Sequence, residues 1–520
     1  MAWFAAPAPL LPEILARHGR QRPRRRALVC GDQTLDWAAF SAALDRTASA
    51  FHALGLSPGE RVGVLMDNSI EMPLAMFGAM RAGLVAVPLN TSLADPAIAG
   101  MLRDCGARAI VVTPAHRARV DALPAELHAA LRGRKICTGT EPTHEDWLAW
   151  APWVTAADRQ PPDVQIDDEA PCNIIYSSGT TGLPKGIVHG HRRRLDWAYD
   201  LGVALRYHGG AVTLCSLGLY SNISWVAMLC TWVAGGTVIV MPGFDARSTL
   251  ETIARERITH FAMVPVQFQR LVDDEAYATS DRSSLQAVMC CGSPLPFGLK
   301  QQLLEDLGGA FIELYGLTEG LITTHDPETA CDRLGSVGQA LTGTEVRIID
   351  DAGHECAPGE PGEIVGRGRI LMSGYLNRDD ANAESTWTDM AGARWLRTGD
   401  IGRMDEDGHL WIVDRKKDMI VSGGQNIFPA DIEAVMLAHP DIADVAVIGV
   451  PSEKWGETPL ALVVPRRDAP EAEVLCAWAN ARLGRQQRIS GVRFRESLPR
   501  NPNGKVLKRE LRREYTALAH

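Results

Sequence analysis

Between Gly209 and Phe244 no residue carries a charge. A stretch of that length can stay out of water in two ways: by crossing a bilayer or by lying buried on every side of a protein core. Ser221-Asn222, Gly235-Gly236 and Pro242-Gly243 break the run, and its β-branched residues gather in Thr237–Val240. A membrane helix needs about 20 unbroken apolar residues, so burial is the better reading and no integral membrane segment is expected. The pieces predicted are a buried strand, a loop, a helix over Ile223–Val233 and a second buried strand. Strands apolar on both faces belong to parallel sheets covered by helices.

The same pattern recurs upstream. Arg61–Leu65, Leu84–Pro88 and Ala109–Val112 read as buried strands and Met72–Ala82 as a helix of small apolar residues. Such β–α alternation predicts mostly parallel sheets with helices on both faces. It resumes from Cys172 to about Gly338 after a polar connection, Ala156–Glu169. The texture then changes: Glu345–Ile349, Gly362–Val365 and His409–Val413 sit between Gly, Asp and Pro turns, which suggests a smaller antiparallel or barrel-like unit. Past Asp414–Asp418 and Ser422-Gly423-Gly424, a compact α+β pattern follows. Its predicted parts are helices over Pro429–Ala438 and Glu471–Leu483 and strands over Asp444–Val450 and Leu460–Val464. A length of 520 residues accommodates several such units, at roughly 100–200 residues each.

Charge narrows the partners. The chain carries 53 Lys and Arg against 63 Asp and Glu, which argues against nucleic acid binding over the whole surface. Ala481–Glu514 is locally basic, with eleven Lys or Arg against three Glu, yet no helix-turn-helix or RNP-type pattern accompanies it. The 11 cysteines include no C-x-x-C, which speaks against a zinc ribbon or thioredoxin-type site. Irregular spacing reads as reduced thiols, and the expected location is the cytoplasm. Met1–Ala16 is apolar but lacks a basic start, so no signal peptide is expected.

The densest chemistry lies in Tyr176-Ser-Ser-Gly-Thr-Thr-Gly-Leu-Pro-Lys-Gly186, after the strand-like Asn173–Ile175. Ser177, Ser178, Thr180 and Thr181 offer hydroxyls, Gly179 and Gly182 let backbone amides approach an anion, and Lys185 supplies charge. A polyphosphate needs such donors. The spacing is not that of a Walker A loop, because Pro184 precedes the lysine and Gly186 follows it. On this motif alone, a Ser/Gly surface loop is an equal alternative.

Four more segments change the balance. Tyr315-Gly-Leu-Thr-Glu319 pairs a ring that can stack on a base with Thr318 and Glu319, which suit a phosphate and Mg²⁺. Leu396-Arg-Thr-Gly-Asp400 sets a carboxylate after a glycine turn, fit for a cis-diol. Asp414-Arg415-Lys416-Lys417 is a charge run, and Pro499-Arg-Asn-Pro-Asn-Gly-Lys505 lifts one lysine on a loop. Each alone is ordinary surface chemistry.

In this order the segments resemble the adenylate-forming superfamily: acyl-CoA synthetases, peptide-synthetase adenylation domains and luciferases. The likeness runs from Thr34-Leu-Asp-Trp37 through Leu56–Val62, Asn68–Glu71 and Ala82–Asn90 to Gly504-Lys505. It implies an α/β fold with a large N-terminal domain of βα-layered sheets plus a small β-barrel-like subdomain over 1–413. A hinge at 414–418 and a small mobile α+β C-terminal domain over 419–520 would follow.

The implied reaction is an ATP-dependent carboxylic acid–CoA ligation through an acyl-adenylate, using ATP, CoA and Mg²⁺. By the resemblance, Ser177, Ser178, Gly179, Thr180, Thr181, Gly182 and Lys185 hold the β- and γ-phosphates. Thr318 contacts the α-phosphate and Glu319 ligates Mg²⁺. Tyr315 and Gly292-Ser293-Pro294 flank adenine, Asp400 and Arg415 hold the ribose, and Lys505 bridges substrate carboxylate and α-phosphate. Lys417 is the hinge residue, and Gly423 and Gly424 lie beside the pantetheine thiol.

The acyl pocket is expected from Tyr220, Ser221, Ile223, Ala227, Met289, Gly316, Leu317 and Leu321. Ser221 stands where the family usually has His, and Glu313 where Gln is common. Apolar walls without a cation point to a medium- or long-chain fatty or an aromatic or alicyclic monocarboxylic acid. Trp225 reads as core. The alternatives are an acyl-AMP ligase that loads a carrier protein and a non-catalytic nucleotide-binding homologue. A homodimer is possible.

Overall fold

The computed structural model describes residues 9–139, 146–177, 184–330, 332–422, 425–452, 454–466, 470–485, 487–500 and 504–517. Contacts divide the chain into two units. One joins Met1–Leu334 with Ala340–Glu345 and Arg367–Glu384; the other joins Gly335–Gln339, Val346–Gly366 and Ser385–His520.

The first unit holds two large sheets. In the nine-stranded sheet, Phe311–Gly316, Ala287–Cys290, His260–Met263, Val212–Cys215, Thr237–Val240 and Arg26–Cys30 run parallel as successive neighbours. In the eight-stranded sheet the parallel run is Trp147–Ala149, Lys135–Cys137, Ala109–Val112, Arg61–Leu65, Val85–Pro88 and Pro171–Tyr176. Gly186–Gly190 then adds antiparallel to Pro171–Tyr176, and Gly374–Tyr375 antiparallel to Gly186–Gly190.

The strands alternate sides with a period of two, and that alternation builds the layers. Val62, Val64, Val238 and Val240 join one large core. Leu65, Ile110 and Val112 face a second core with Ile98 and Leu102 of the helix Asp95–Cys105, while Leu214 and Ile239 face a third with Leu250 and Phe268. The large core contains residues of both sheets and of the helices Trp37–Ala53, Glu71–Arg81 and Asn222–Ala234. The uncharged run is thus strand, loop, helix and strand, as predicted. In its helix Ile223–Trp232 is buried throughout, and Gly235 closes it in the left-handed region at φ 82. Trp225 is core, stacked near Phe77 at 5.5 Å, with the Arg194 guanidinium 5.2 Å from its ring.

The second unit is antiparallel in character. Arg394–Met404 is flanked by Gly362–Gly368, Thr386–Thr388 and Leu410–Arg415. Asp414 and Arg415 therefore end a strand, although their charge suggested a linker. Cross-strand pairing outweighs local polarity here, because Asp400 sits directly opposite Arg415. A further sheet pairs Ile442–Ser452 with Gly456–Pro465, with helices Pro429–Leu437 and Ala472–Asn480 sharing its core. Among the described residues no helix is long and apolar enough to cross a membrane, and the ten described cysteines are free thiols.

Candidate active site

In a parallel sheet every strand delivers its following loop to the same edge, and ligands gather there. The predicted site segments of the first unit obey that rule. Gly292-Ser293-Pro294 follows Ala287–Cys290, Tyr315–Glu319 closes the neighbouring parallel strand, and Leu219–Ser221 follows Val212–Cys215. Ser177 ends Pro171–Tyr176 in the other sheet, and its amide donates to the Lys185 carbonyl at 3.0 Å. Ser177 and Lys185 thereby form the neck of a hairpin whose strands pair Tyr176 with Gly186. A Cβ at Gly186 would stand 3.1 Å from Ile174 and 3.2 Å from the Tyr176 ring, so a side chain would crowd this neck. Ser178, Gly179, Thr180, Thr181 and Gly182 lie outside the described residues.

Lys185 leans on an aromatic face. Its Nζ lies 4.7 Å from the centroid of the Tyr375 ring, and the Tyr375 hydroxyl donates to Glu319 Oε1 at 2.9 Å. The lysine predicted for phosphate and the carboxylate predicted for magnesium thus meet on one phenol. Burial, reinforced by the Glu319 charge, raises the Tyr375 pKa far above the ordinary tyrosine range, so the hydroxyl stays a donor. Thr318 adjoins His189, whose pKa burial holds well below the usual histidine range. Sequence reasoning missed Tyr375, since a two-residue strand and a long-range contact leave no local pattern.

The segments predicted to line adenine and the acyl group lie against each other. Gly292 has φ 98, and a Cβ there would meet Ile223 at 3.1 Å and Val264 at 3.2 Å. Ile223, Ala227 and Met289 belong to the large core, with Tyr220 packed against it. Leu321 is fully buried, while Leu317 is half-buried and Gly316 exposed. The Tyr220 ring covers Gly218, where a Cβ would come within 2.3 Å of it. Ser221 is buried, and its Oγ accepts from the Ile223 amide at 3.3 Å, capping the helix Asn222–Ala234. Glu313, two residues before Tyr315, pairs with Lys300 Nζ at 2.7 Å. Burial raises its pKa, against the pull of Lys300.

The second unit gathers its own group. Asp400 is 3% exposed, and Arg415 Nε lies 3.2 Å from its Oδ1. Lys505 sits on a loop closed by the bridge between Arg500 and Val506. Its pKa is lowered to about 7, first by burial and then by Arg415 and Lys417, while Asp400 and Asp418 act the other way. The backbone around Lys417 is held on both flanks. Lys416 Nζ bonds Asp351 at 3.0 Å and Glu363 at 3.2 Å, and Arg512 donates to the Lys417 and Asp418 carbonyls at 3.0 and 2.9 Å. Gly423 and Gly424 lie outside the described residues, between the paired strands Ile420–Ser422 and Gln425–Ile427.

Oxygen donors, an anion-facing lysine and an apolar wall form a set suited to activating a carboxylic acid with a nucleotide. Comparison with known proteins agrees. Residues 15–376 match the AMP-binding enzyme family and residues 431–505 the AMP-binding enzyme C-terminal domain. A feruloyl-CoA synthase of Amycolatopsis sp is 34% identical over 507 residues, covering 96% of this chain and 98% of that protein. The long-chain-fatty-acid–CoA ligase FadD13 of Mycobacterium tuberculosis is 34% identical over 520 residues, covering 97% and 98%. The o-succinylbenzoate CoA synthetase MenE of Bacillus subtilis, solved with its acyl-adenylate intermediate, superposes with a TM-score of 0.83 at 28% identity, covering 96% of this chain and 97% of that one.

Proposed function

The chain belongs to the AMP-binding, adenylate-forming enzymes of the acyl-CoA synthetase family, and we propose from that premise how its residues divide the work of an ATP-dependent carboxylic acid–CoA ligase. In the first half-reaction a substrate carboxylate oxygen attacks the α-phosphorus of ATP. The bond to the β-phosphate bridging oxygen breaks, leaving acyl-AMP and pyrophosphate. In the second, the CoA thiol attacks the acyl carbonyl, its proton is lost, and AMP departs with the bonding electrons.

The observation that carries this reading is the meeting of Lys185 and Glu319 on Tyr375, where loops from two sheets converge. Lys185 and the Ser177–Gly182 loop hold the β- and γ-phosphates, Thr318 the α-phosphate, and Tyr315 with Gly292–Pro294 the adenine. Glu319 offers the hard carboxylate oxygen that Mg²⁺ prefers, and bound Mg²⁺ neutralises charge on the polyphosphate. Asp400 and Arg415 hold the ribose hydroxyls, and Lys505 stabilises negative charge as the carboxylate reaches phosphorus. The hinge is Lys417, within 414–418, between the domains 1–413 and 419–520. The anchored Lys416 and the Arg512-held carbonyls support it, since a pivot works best between fixed flanks. Gly423 and Gly424 serve the thioester half-reaction.

The substrate is a fatty or an aromatic or alicyclic monocarboxylic acid. Support comes from the apolar Ile223, Ala227, Met289 and Leu321, which offer no partner for a second carboxylate. AMP release with ATP, Mg²⁺ and CoA tests this across acetate, octanoate, palmitate, benzoate, cyclohexanecarboxylate and 4-coumarate. One preferred acid with CoA-dependent turnover is expected. Pyrophosphate release that ignores CoA would favour carrier loading, and no turnover with any acid would favour a non-catalytic homologue.

A further inference from the structure

The segment that carries Tyr375 is bound to two sheets at once. Tyr375 pairs with Ile187 and Gly374 with Val188, on the strand that leaves Lys185, and the Ser373 and Leu376 amides donate to Val188 and Gly186 at 2.8 Å each. On its other side the Met372 amide donates to the Glu319 carbonyl at 2.7 Å. Gly320, at φ 110, has no room for a side chain, because a Cβ would lie 2.3 Å from the Ile370 carbonyl oxygen. Asn382 clasps the Tyr375 backbone from below, accepting from its amide at 2.8 Å and donating to its carbonyl at 3.1 Å. Residues 370–376 therefore tie the edge of the eight-stranded sheet to the loop that follows Phe311–Gly316 in the nine-stranded one, and Tyr375 is the side chain of this segment that reaches both Lys185 and Glu319.

We propose that Tyr375 is a positioning residue for the magnesium–pyrophosphate unit, its hydroxyl orienting Glu319 toward the metal and its ring setting the height of Lys185 over the phosphates. The inference rests on the adenylate-forming reading above. A phenol suits both tasks. Its O–H donates to one carboxylate oxygen and thereby fixes which way the other points, while its π face attracts an ammonium without competing for its protons. An arginine in this position would draw the glutamate away from a metal. A leucine would guide neither group.

Two substitutions separate the two tasks. Tyr375→Phe keeps the ring and removes the hydroxyl. The half-saturating Mg²⁺ concentration in ATP–pyrophosphate exchange should then rise about tenfold, the typical worth of a hydrogen bond to a charged group. ATP affinity in EDTA, measured by titration calorimetry on the full chain, should not change, nor should KM for the acid or for CoA. Tyr375→Leu should weaken metal-free ATP binding as well, by roughly threefold, the scale of a half-exposed cation–π contact.

A cycle with Glu319→Gln distinguishes orientation from mere packing. In the E319Q background, Y375F should leave the remaining Mg²⁺ dependence unmoved, because the group it acts through is gone. Additive losses, or a Y375F enzyme with wild-type Mg²⁺ dependence, would overturn the tether while leaving the ligase reading intact. A wild-type chain that takes up no MgATP in the calorimeter would overturn both.

Discussion

Two buried lysines of this molecule are kept in opposite ways. Lys300, in the helix Phe297–Leu307, is 3% exposed and pairs with the buried Glu313 at 2.7 Å. Lys505, in the other unit, faces an Asp400 carboxylate already engaged by Arg415 at 3.2 Å, with Lys417 adding a further cation. The first arrangement balances charge inside the fold. The second sets Arg415 and Lys417 against Asp400 and Asp418 around a buried ammonium, and its pKa falls to about 7, burial being the largest cause. An ammonium whose charge is held down by burial is stabilised when an anion arrives, whereas Lys300 already pairs with a carboxylate inside the fold. On the proposed reading, that contrast separates a lysine of the fold from the lysine assigned to chemistry.

The largest expected effect breaks the contrast at Lys505. Lys505→Ala should lower adenylate formation about a thousandfold, the upper range for removing one preorganised charge-stabilising group. Thioester formation from preformed acyl-adenylate should fall far less, since that step uses different groups. Stopped-flow pyrophosphate release and CoA consumption read the two halves separately. Equal losses in both would remove Lys505 from the adenylation role.

Next in size is the opposite lysine. Glu313→Gln strands Lys300 in the core without its acid, which should cost about 3 kcal/mol of stability. Lys300→Met combined with Glu313→Gln should recover most of that loss, as replacing both partners of a buried pair usually does. Urea unfolding measures both variants, and exchange activity of the folded fraction should hold. Were E313Q as stable as the wild type, the pair would not be the structural counterweight to Lys505.

A smaller effect comes from pH. A lysine titrating near 7 loses its charge as pH rises, so the adenylation rate at low ATP should decline above about pH 7, tenfold per pH unit at the limit. Lys505→Arg should carry the declining limb to higher pH, because a guanidinium stays charged. Stability moves the other way. The unfolded lysine titrates near about 10.4, so between the two values the unfolded chain binds more protons and stability rises with pH. The penalty is fully present below about 7. A Lys505→Met chain should therefore melt above the wild type at pH 6, with the gap closing toward pH 10.

The same contrast explains what the sequence could disclose. Apolar runs such as Ala109–Val112 and Thr237–Val240 announce strands of a covered parallel sheet, since nothing else buries both faces of so short a segment. Donor-rich loops suggest anion sites, which is why Ser177 and Lys185 stand out in the sequence, whereas Glu319 stands out as a carboxylate suited to Mg²⁺. Pairings between distant residues leave no such trace. Glu313 looked like a bare departure from the family, and only the fold brings Lys300 to it. Tyr375 carried no signal, because its meaning comes from Ile187 on one side and Glu319 on the other. Asp414 and Arg415 read in the sequence as part of a charge run, and only the fold shows that they end a strand with Asp400 opposite Arg415.

The smallest expected effect lies at Ser221, beside the residues proposed for the acyl wall. This chain uses the position to start a helix that is buried along nearly its whole length. A serine oxygen reaches the Ile223 amide from the N-cap, and an imidazole is a poor substitute at that place. Ser221→Ala should lose about 0.5–1 kcal/mol, at the low end for a cap because the 3.3 Å bond is long. Ser221→His should lose a similar amount and alter KM for the acid, since a larger side chain would stand next to Tyr220 and Ile223. Both variants should keep the Mg²⁺ and pH dependence expected from Glu319 and Lys505. A shift of either would mean that this end of the pocket communicates with the nucleotide groups, and the acyl wall would then share in the chemistry rather than only in the choice of acid.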